Sequence, residues 1–184
     1  FHIDNDYRRY SSYRSTQSGA SIRAVWPMAE YASLSVFYRY LKEEISSYFF
    51  QSGYNLADDY NADKSEIGYS YVIDTRDDPI DTTRGWTFSF GQDIAGLLGE
   101  SEYIRSNVGG RYYYEIARDW VLSAGANAGY IYNYGSKDLR INDRFFKGGN
   151  TFRGFDRAGV GPKEKVTDRP RGAEFFAIGT LEVT

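Results

Sequence analysis

The chain has 184 residues, of which 26% are charged, and a formal net charge of -3. That balance gives no electrostatic reason to expect nucleic acid as a partner. Cys is absent and His2 is the only His, which excludes a disulfide framework, a thiolate site and a His-based metal cluster. No nucleophile motif accompanies His2, which reads as a chance exposed residue. Neither an enzyme nor a cofactor or metal site is expected.

Tyr (18) and Phe (12) dominate the apolar residues, beside 19 Gly and four Pro, and the mean hydropathy is -0.58. A soluble core would draw on Leu, Ile and Val; Tyr and Phe favour strands and membrane–water interfaces. Few Pro and no long polar tract argue against disorder. No run approaches the ~18 apolar residues of a membrane helix, and no charged-then-apolar leader opens the chain. It begins at Phe1 without Met and stops at Thr184 inside a strand-like run, so both ends read as cut.

Period-two alternation recurs along the chain and predicts about eight strands. A weak opening strand is expected around Ile3 to Tyr10. Ala20, Ile22, Ala24 and Trp26 then oppose Ser21 and Arg23, before a short connection at Pro27-Met28-Ala29-Glu30. From Leu34 to Glu43 the pattern is less clean, because Phe37 and Leu41 share a face with Ser35, Arg39 and Glu43. A longer connection, Ser46 to Lys64, leads to Ile67, Tyr69, Tyr71 and Ile73 on one face. A compact, turn-rich segment spans Asp74 to Gly85. After it, Trp86, Phe88, Phe90 and Ile94 oppose Thr87, Ser89, Gly91 and Asp93. Ile104, Val108, Tyr112, Tyr114 and Ile116 oppose Arg105, Asn107, Arg111 and Glu115, with a short connection at Ala117-Arg118-Asp119. From Trp120 to Tyr134 the even positions carry Leu122, Ala124, Ala126 and Ala128. The odd ones carry Ser123, Gly125 and Asn127. The longest connection, Gly135 to Gly172, precedes a last run that sets Phe175, Ala177, Leu181 and Val183 against Glu174, Thr180 and Glu182.

Two architectures alternate in this way. A soluble sandwich packs a Val/Ile/Leu-rich face inward, whereas an outer-membrane barrel turns its apolar face to lipid, keeps a polar interior and wears aromatic girdles. Tyr112 to Tyr114, Tyr130, Tyr132, Tyr134, Trp26, Trp86 and Trp120 crowd strand ends, and Arg23, Arg39, Arg105, Arg111, Asp93, Glu115 and Glu182 occupy the opposite face. Short turns at one end and long loops at the other complete the pattern. The expected fold is all-β, an antiparallel transmembrane β-barrel, with residues 1–184 as a partial barrel domain. A closed barrel of eight strands is nearly filled by its side chains, and an open sheet would expose two edges that lipid does not tolerate. A larger parent barrel is expected.

A connection as long as Gly135 to Gly172 is usually functional or disordered, and its composition is not disordered. Phe145-Phe146-Lys147-Gly148-Gly149-Asn150-Thr151-Phe152-Arg153-Gly154-Phe155-Asp156 sets aromatics and an Arg between glycines that permit positive φ, which predicts a compact hairpin. A phosphate-cradling loop would need a following helix, and none is indicated.

The run from Phe146 to Phe155, with Gly148, Gly149, Phe152, Arg153, Gly154 and Phe155, resembles the sixth extracellular loop of the BamA superfamily of outer-membrane proteins. Asp74-Thr75-Arg76-Asp77-Asp78-Pro79 with Thr83-Arg84-Gly85-Trp86 resembles that family's periplasmic turn, and Ala177 to Val183 is similar to the strand after the loop. The three matches come in family order. Phe152 stands where BamA itself usually has Val, which leaves the subfamily open.

The resemblance implies the fifth to twelfth strands of a sixteen-stranded barrel in the bacterial outer membrane, with the loop of about residues 135–172 folded inward. It also implies a latch between Arg153 and an acidic residue on a later strand, for which Glu182 is the candidate. The function implied is non-covalent insertion and assembly of β-barrel proteins. Its partners would be unfolded outer-membrane clients, accessory outer-membrane lipoproteins and the lipid bilayer. A TamA-like assembly factor or a two-partner secretion transporter is the alternative, and a barrel enzyme a distant one.

Overall fold

A computed structural model describes residues 2–5, 13–47, 60–99, 101–163, 165 and 170–184. Eight strands form one sheet in chain order: β1 (His2–Asn5), β2 (Tyr13–Ala29), β3 (Ala32–Ser47), β4 (Tyr60–Asp74), β5 (Gly85–Gly99), β6 (Tyr103–Ala117), β7 (Trp120–Asn133) and β8 (Phe175–Val183). Every neighbouring pair is antiparallel. The one helical element among the described residues is a single 3-10 turn, Ile141–Asp143.

Several boundaries differ from the sequence reading. The opening strand covers His2–Asn5, and the rest of the expected Ile3 to Tyr10 run lies outside the described residues, as does the His2 side chain. Pro27 is not in a turn. Strand β2 continues to Ala29 and the chain reverses at Glu30 and Tyr31; Pro27 borders a register shift, where a residue without an N–H is tolerated. Of the expected Ser46 to Lys64 connection, the ends are strand and 48–59 lies outside the described residues. Strands β5 and β6 follow each other with a short connection that includes Ser101 and Glu102, which the sequence reading did not separate out.

Strand parity places the segment between β4 and β5 at the same end as the reversals at Glu30–Tyr31 and Arg118–Asp119. The long segment between β7 and β8 lies at the opposite end, together with the short connection at Ser101 and Glu102. The expected division into short turns at one end and long loops at the other is therefore only partly kept.

Alternation sorts the two faces as side-chain geometry requires. On β7, Ala124, Ala126, Tyr130 and Tyr132 are exposed while Ser123, Gly129 and Ile131 are buried. Ile22, Val108, Tyr112, Tyr114, Trp120 and Leu181 extend the exposed apolar face, Leu181 being 73% exposed. An apolar surface of this extent belongs against something other than water.

Among the described residues, three apolar side chains on the polar face each have a local reason. Phe37 lies between the guanidinium groups of Arg23 and Arg39, 5.4 and 5.1 Å from its ring centre. Ile131 packs in a small core with Ala95, Tyr103 and Leu139, joined by Phe145. Phe176 meets Phe145 edge-to-face at 4.8 Å. Leu139 and Phe145 come from the long loop, so the loop is seated against the polar face.

Candidate functional site

The turn after β4 is built by its carboxylates. Asp74 accepts from Arg76 Nε and Nη2 at 2.9 and 2.7 Å, and Arg76 Nη1 donates to the Pro79 carbonyl at 3.1 Å. Asp77 accepts from the Thr83 hydroxyl and from the amides of Asp78, Thr83 and Arg84 at 3.0, 3.0 and 3.1 Å. The Thr83 hydroxyl first, and these amides with it, hold the Asp77 carboxyl well below the usual carboxylate range. Asp78 caps the amides of Ile80 and Asp81 at 2.7 and 3.1 Å. Gly85 has φ 109°, and a Cβ there would stand 2.4 Å from the Thr75 carbonyl oxygen, so this position needs Gly. Arg84 reaches Glu115 of β6 at 2.9 Å. Asp74, Arg76, Asp77, Pro79 and Gly85 thus all lie within one hydrogen-bonded turn.

The loop motif forms a hairpin of its own. Backbone bridges join Phe145 to Ala173, Lys147 to Val160 and Gly149 to Phe152. Gly148 has φ 129° and leaves no room for a Cβ, which would fall 2.1 Å from the Asp156 carbonyl oxygen; Gly149 and Gly154 also have positive φ, 57° and 85°. The rings of Phe152 and Phe155 stack with centres 5.0 Å apart. Lys147 Nζ lies 3.7 Å from the ring centre of Phe176, and burial lowers the pKa of this ammonium.

Arg153 Nη1 and Glu182 Oε1 are 3.3 Å apart. The Arg153 side chain is 88% exposed, and Glu182 is shared with Arg111 Nη1 at 3.2 Å. A buried pair would cost about 3–5 kcal/mol to break; one this exposed contributes about 0.2–1 kcal/mol.

The most deeply buried charges lie elsewhere. Glu66 on β4 lies 3.1 Å from both Arg39 and Lys64 and 3.7 Å from Arg105, which itself holds Asp93 at 2.8 Å. Asp143, in the loop and 1% exposed, accepts from Lys64 Nζ, from the Tyr103 hydroxyl at 3.2 Å and from Ser101 Oγ at 3.3 Å. The one Tyr103 hydroxyl proton is shared with Glu66, the nearer of its two acceptors. The sequence reading placed Arg39, Arg105 and Asp93 on the polar face but missed Lys64, Glu66, Tyr103 and Asp143. Lys64 and Glu66, two apart and on the face of Arg39, would have been found by extending that strand to Tyr60. Asp143 gives no local signal, since its partner Lys64 is 79 residues away.

The profile of the Omp85 superfamily domain matches residues 1–184. The chain belongs to the Omp85 superfamily. Among relatives, it is 33% identical over 120 residues to the outer membrane protein assembly factor BamA of Neorickettsia risticii, an alignment covering 65% of this chain and 16% of that protein. It is 32% identical over 118 residues to the mouse sorting and assembly machinery component 50 homolog, covering 63% of this chain and 25% of that one. The crystal structure of BamA from Haemophilus ducreyi lacking POTRA domains 1-3 superposes with a TM-score of 0.83 at 16% identity, covering 99% of this chain and 40% of that one. The chain therefore spans a sixth to a quarter of the curated relatives it matches. Its fold is a run of Omp85 barrel strands of BamA type, and its place is the bacterial outer membrane. Omp85 proteins are assembly factors and not enzymes.

Proposed function

We propose that this chain forms the loop-bearing wall of an Omp85 barrel that assembles β-barrel proteins into the bacterial outer membrane, by a non-covalent route. The observation that supports the reading is the long loop seated on the polar face of the sheet, with Arg153 against Glu182 and Phe145 against Phe176. The names of the relatives, an assembly factor and an assembly-machinery component, support it. In the complete protein the loop folds inside the lumen over about residues 135–172, and the Asp74 to Gly85 turn is its stiff periplasmic counterpart. Unfolded outer-membrane clients, accessory lipoproteins and the surrounding lipid are the partners. Nothing in the mechanism requires bond chemistry: the barrel supplies strand edges and a locally disturbed bilayer to an incoming client.

The test is complementation with Arg153→Ala and Glu182→Ala in the full-length protein, read as growth and as heat-modifiability of client barrels. Glu182→Ala is expected to be the more harmful, because it releases both Arg111 and Arg153, whereas Arg153→Ala leaves Glu182 its bond to Arg111. Wild-type client assembly with both variants would overturn the latch as part of the function.

A further inference from the structure

Strand β5 leaves the regular ladder near its far end. Lys64 pairs with Gly99 and Glu66 with Ala95, so Gly96, Leu97 and Leu98 together face Ser65 alone. Such a bulge pushes the extra residues out of the sheet. Ser65 ties it down twice: its hydroxyl donates to the Leu98 carbonyl at 2.7 Å and accepts from the Leu98 amide. The Tyr134 hydroxyl donates to the Ala95 carbonyl. Gly96 and Gly99 bound the bulge at φ 128° and 105°, where a Cβ would run into the Tyr134 hydroxyl and the Asp63 carbonyl.

The bulge lies over the apolar face. Ser65 has the strand parity of Ile67, Tyr69 and Tyr71, yet it is fully buried, because the bulge covers it. Leu97 and Leu98 stay 59% and 61% exposed. Their level can be read from β4. Nine steps of about 3.4 Å, tilted by about 40°, raise Ser65 roughly 23 Å above Asp74, close to the ~25 Å height of the apolar band. Tyr40 pairs with Ser65 from β3, and Tyr134 reaches the bulge from beyond the end of β7. The two leucines therefore stand between tyrosines of one girdle, where β4 and β5 themselves offer only Ser65 and Gly96. Asp63, the next position of that parity on β4, is charged, so the apolar face ends one step above the bulge.

We propose that the bulge of residues 96–99 is a lipid anchor, with Leu97 and Leu98 set among acyl chains of the outer leaflet at the upper edge of the apolar band. The anchor rests on the reading of this face as the lipid one and of the Asp74 to Gly85 turn as periplasmic. Apolar side chains held out from a sheet need a non-aqueous neighbour, and at this level the neighbour continuous with Ile67 and Ile94 is lipid.

Spin labelling of the full-length protein in phospholipid vesicles tests this, with one cysteine at a time in a background without others. Nitroxides at Leu97→Cys and Leu98→Cys are compared with two references. Ala126→Cys lies at mid-depth on the same face, and Arg118→Cys in the exposed turn after β6. Collision with dissolved oxygen, which concentrates among acyl chains, is read against collision with a water-soluble nickel chelate. Both bulge labels are expected to give an oxygen-to-chelate ratio below that at Ala126 and clearly above that at Arg118. A ratio equal to that at Arg118 puts the leucines in water and overturns the anchor. Exclusion of both reagents means that protein covers them, and overturns it too. If Ala126 instead behaves like Arg118, the lipid-face reading itself has failed and the anchor falls with it. Leu97→Ser combined with Leu98→Ser is expected to weaken the folding equilibrium in vesicles by about 20- to 400-fold, since some three-fifths of each leucine is open to acyl chains. An unchanged equilibrium would also overturn the anchor.

Discussion

Ala126 and Asn127 sit at the middle of β7 (Trp120–Asn133), one residue apart and therefore on opposite faces. Thirteen steps of about 3.4 Å, tilted by about 40°, carry the strand roughly 34 Å along the membrane normal, more than the ~25 Å apolar band of an outer-membrane barrel. Both residues are exposed, and both lie near mid-depth, so the same substitution at each isolates the face. Ala126→Arg places a guanidinium in lipid at the midplane and is expected to cost about 2–4 kcal/mol, roughly 30- to 700-fold in the folding equilibrium. Asn127→Arg points into the wet lumen and is expected to cost less than ~1 kcal/mol. Reversible urea unfolding of the full-length protein in phospholipid vesicles measures both. Equal costs, or a greater cost for Asn127→Arg, would refute the assignment of lipid and lumenal faces from which the site is built.

Two further outcomes follow from individual hydrogen bonds. Tyr103→Phe keeps the ring and removes the hydroxyl that serves Glu66 and Asp143. The single hydroxyl proton lies nearer Glu66, and a bond to a charged acceptor sets an expected loss of about 1.5–3 kcal/mol in the same unfolding measurement; an unchanged midpoint would show that the hydroxyl is not used. At the turn, the folded-state pKa of Asp77 lies below its unfolded value of about 3.9. Its contribution is therefore complete above that value, and it is lost as pH falls through the lower folded pKa. Exchange protection of the Thr83 and Arg84 amides should persist down to about pH 3.9 and fade only below it, and Asp77→Ala should abolish both the protection and its pH dependence; loss of protection well above that pH in the wild type would contradict the reading.

How far each feature could be read from the chain follows from the range of the interaction behind it. The faces of β5, β6 and β7 were legible because alternation is a property of the strand itself: successive side chains point to opposite sides whatever the partner. The turn was legible because Asp77 and Gly85 act over a few residues, on amides and a carbonyl in the same segment. The hairpin was legible for the same reason, through Gly148 and Gly149, and family resemblance added Glu182 as the partner of Arg153. Strand ends were less secure, since Pro27 and Tyr60 depend on pairing with a neighbour: Pro27 continues β2 beside a register shift, and Tyr60 pairs with Ile45. What the sequence could not decide was how the loop is held. The resemblance pointed to Arg153, which does meet Glu182, whereas the buried loop carboxylate, Asp143, carries no motif. Its worth comes from Lys64, Ser101 and Tyr103, residues contributed by β4, by the start of β6 and by the connection before it. Burial and long-range pairing exist only once the sheet has brought distant segments together, and the tertiary structure alone decided them.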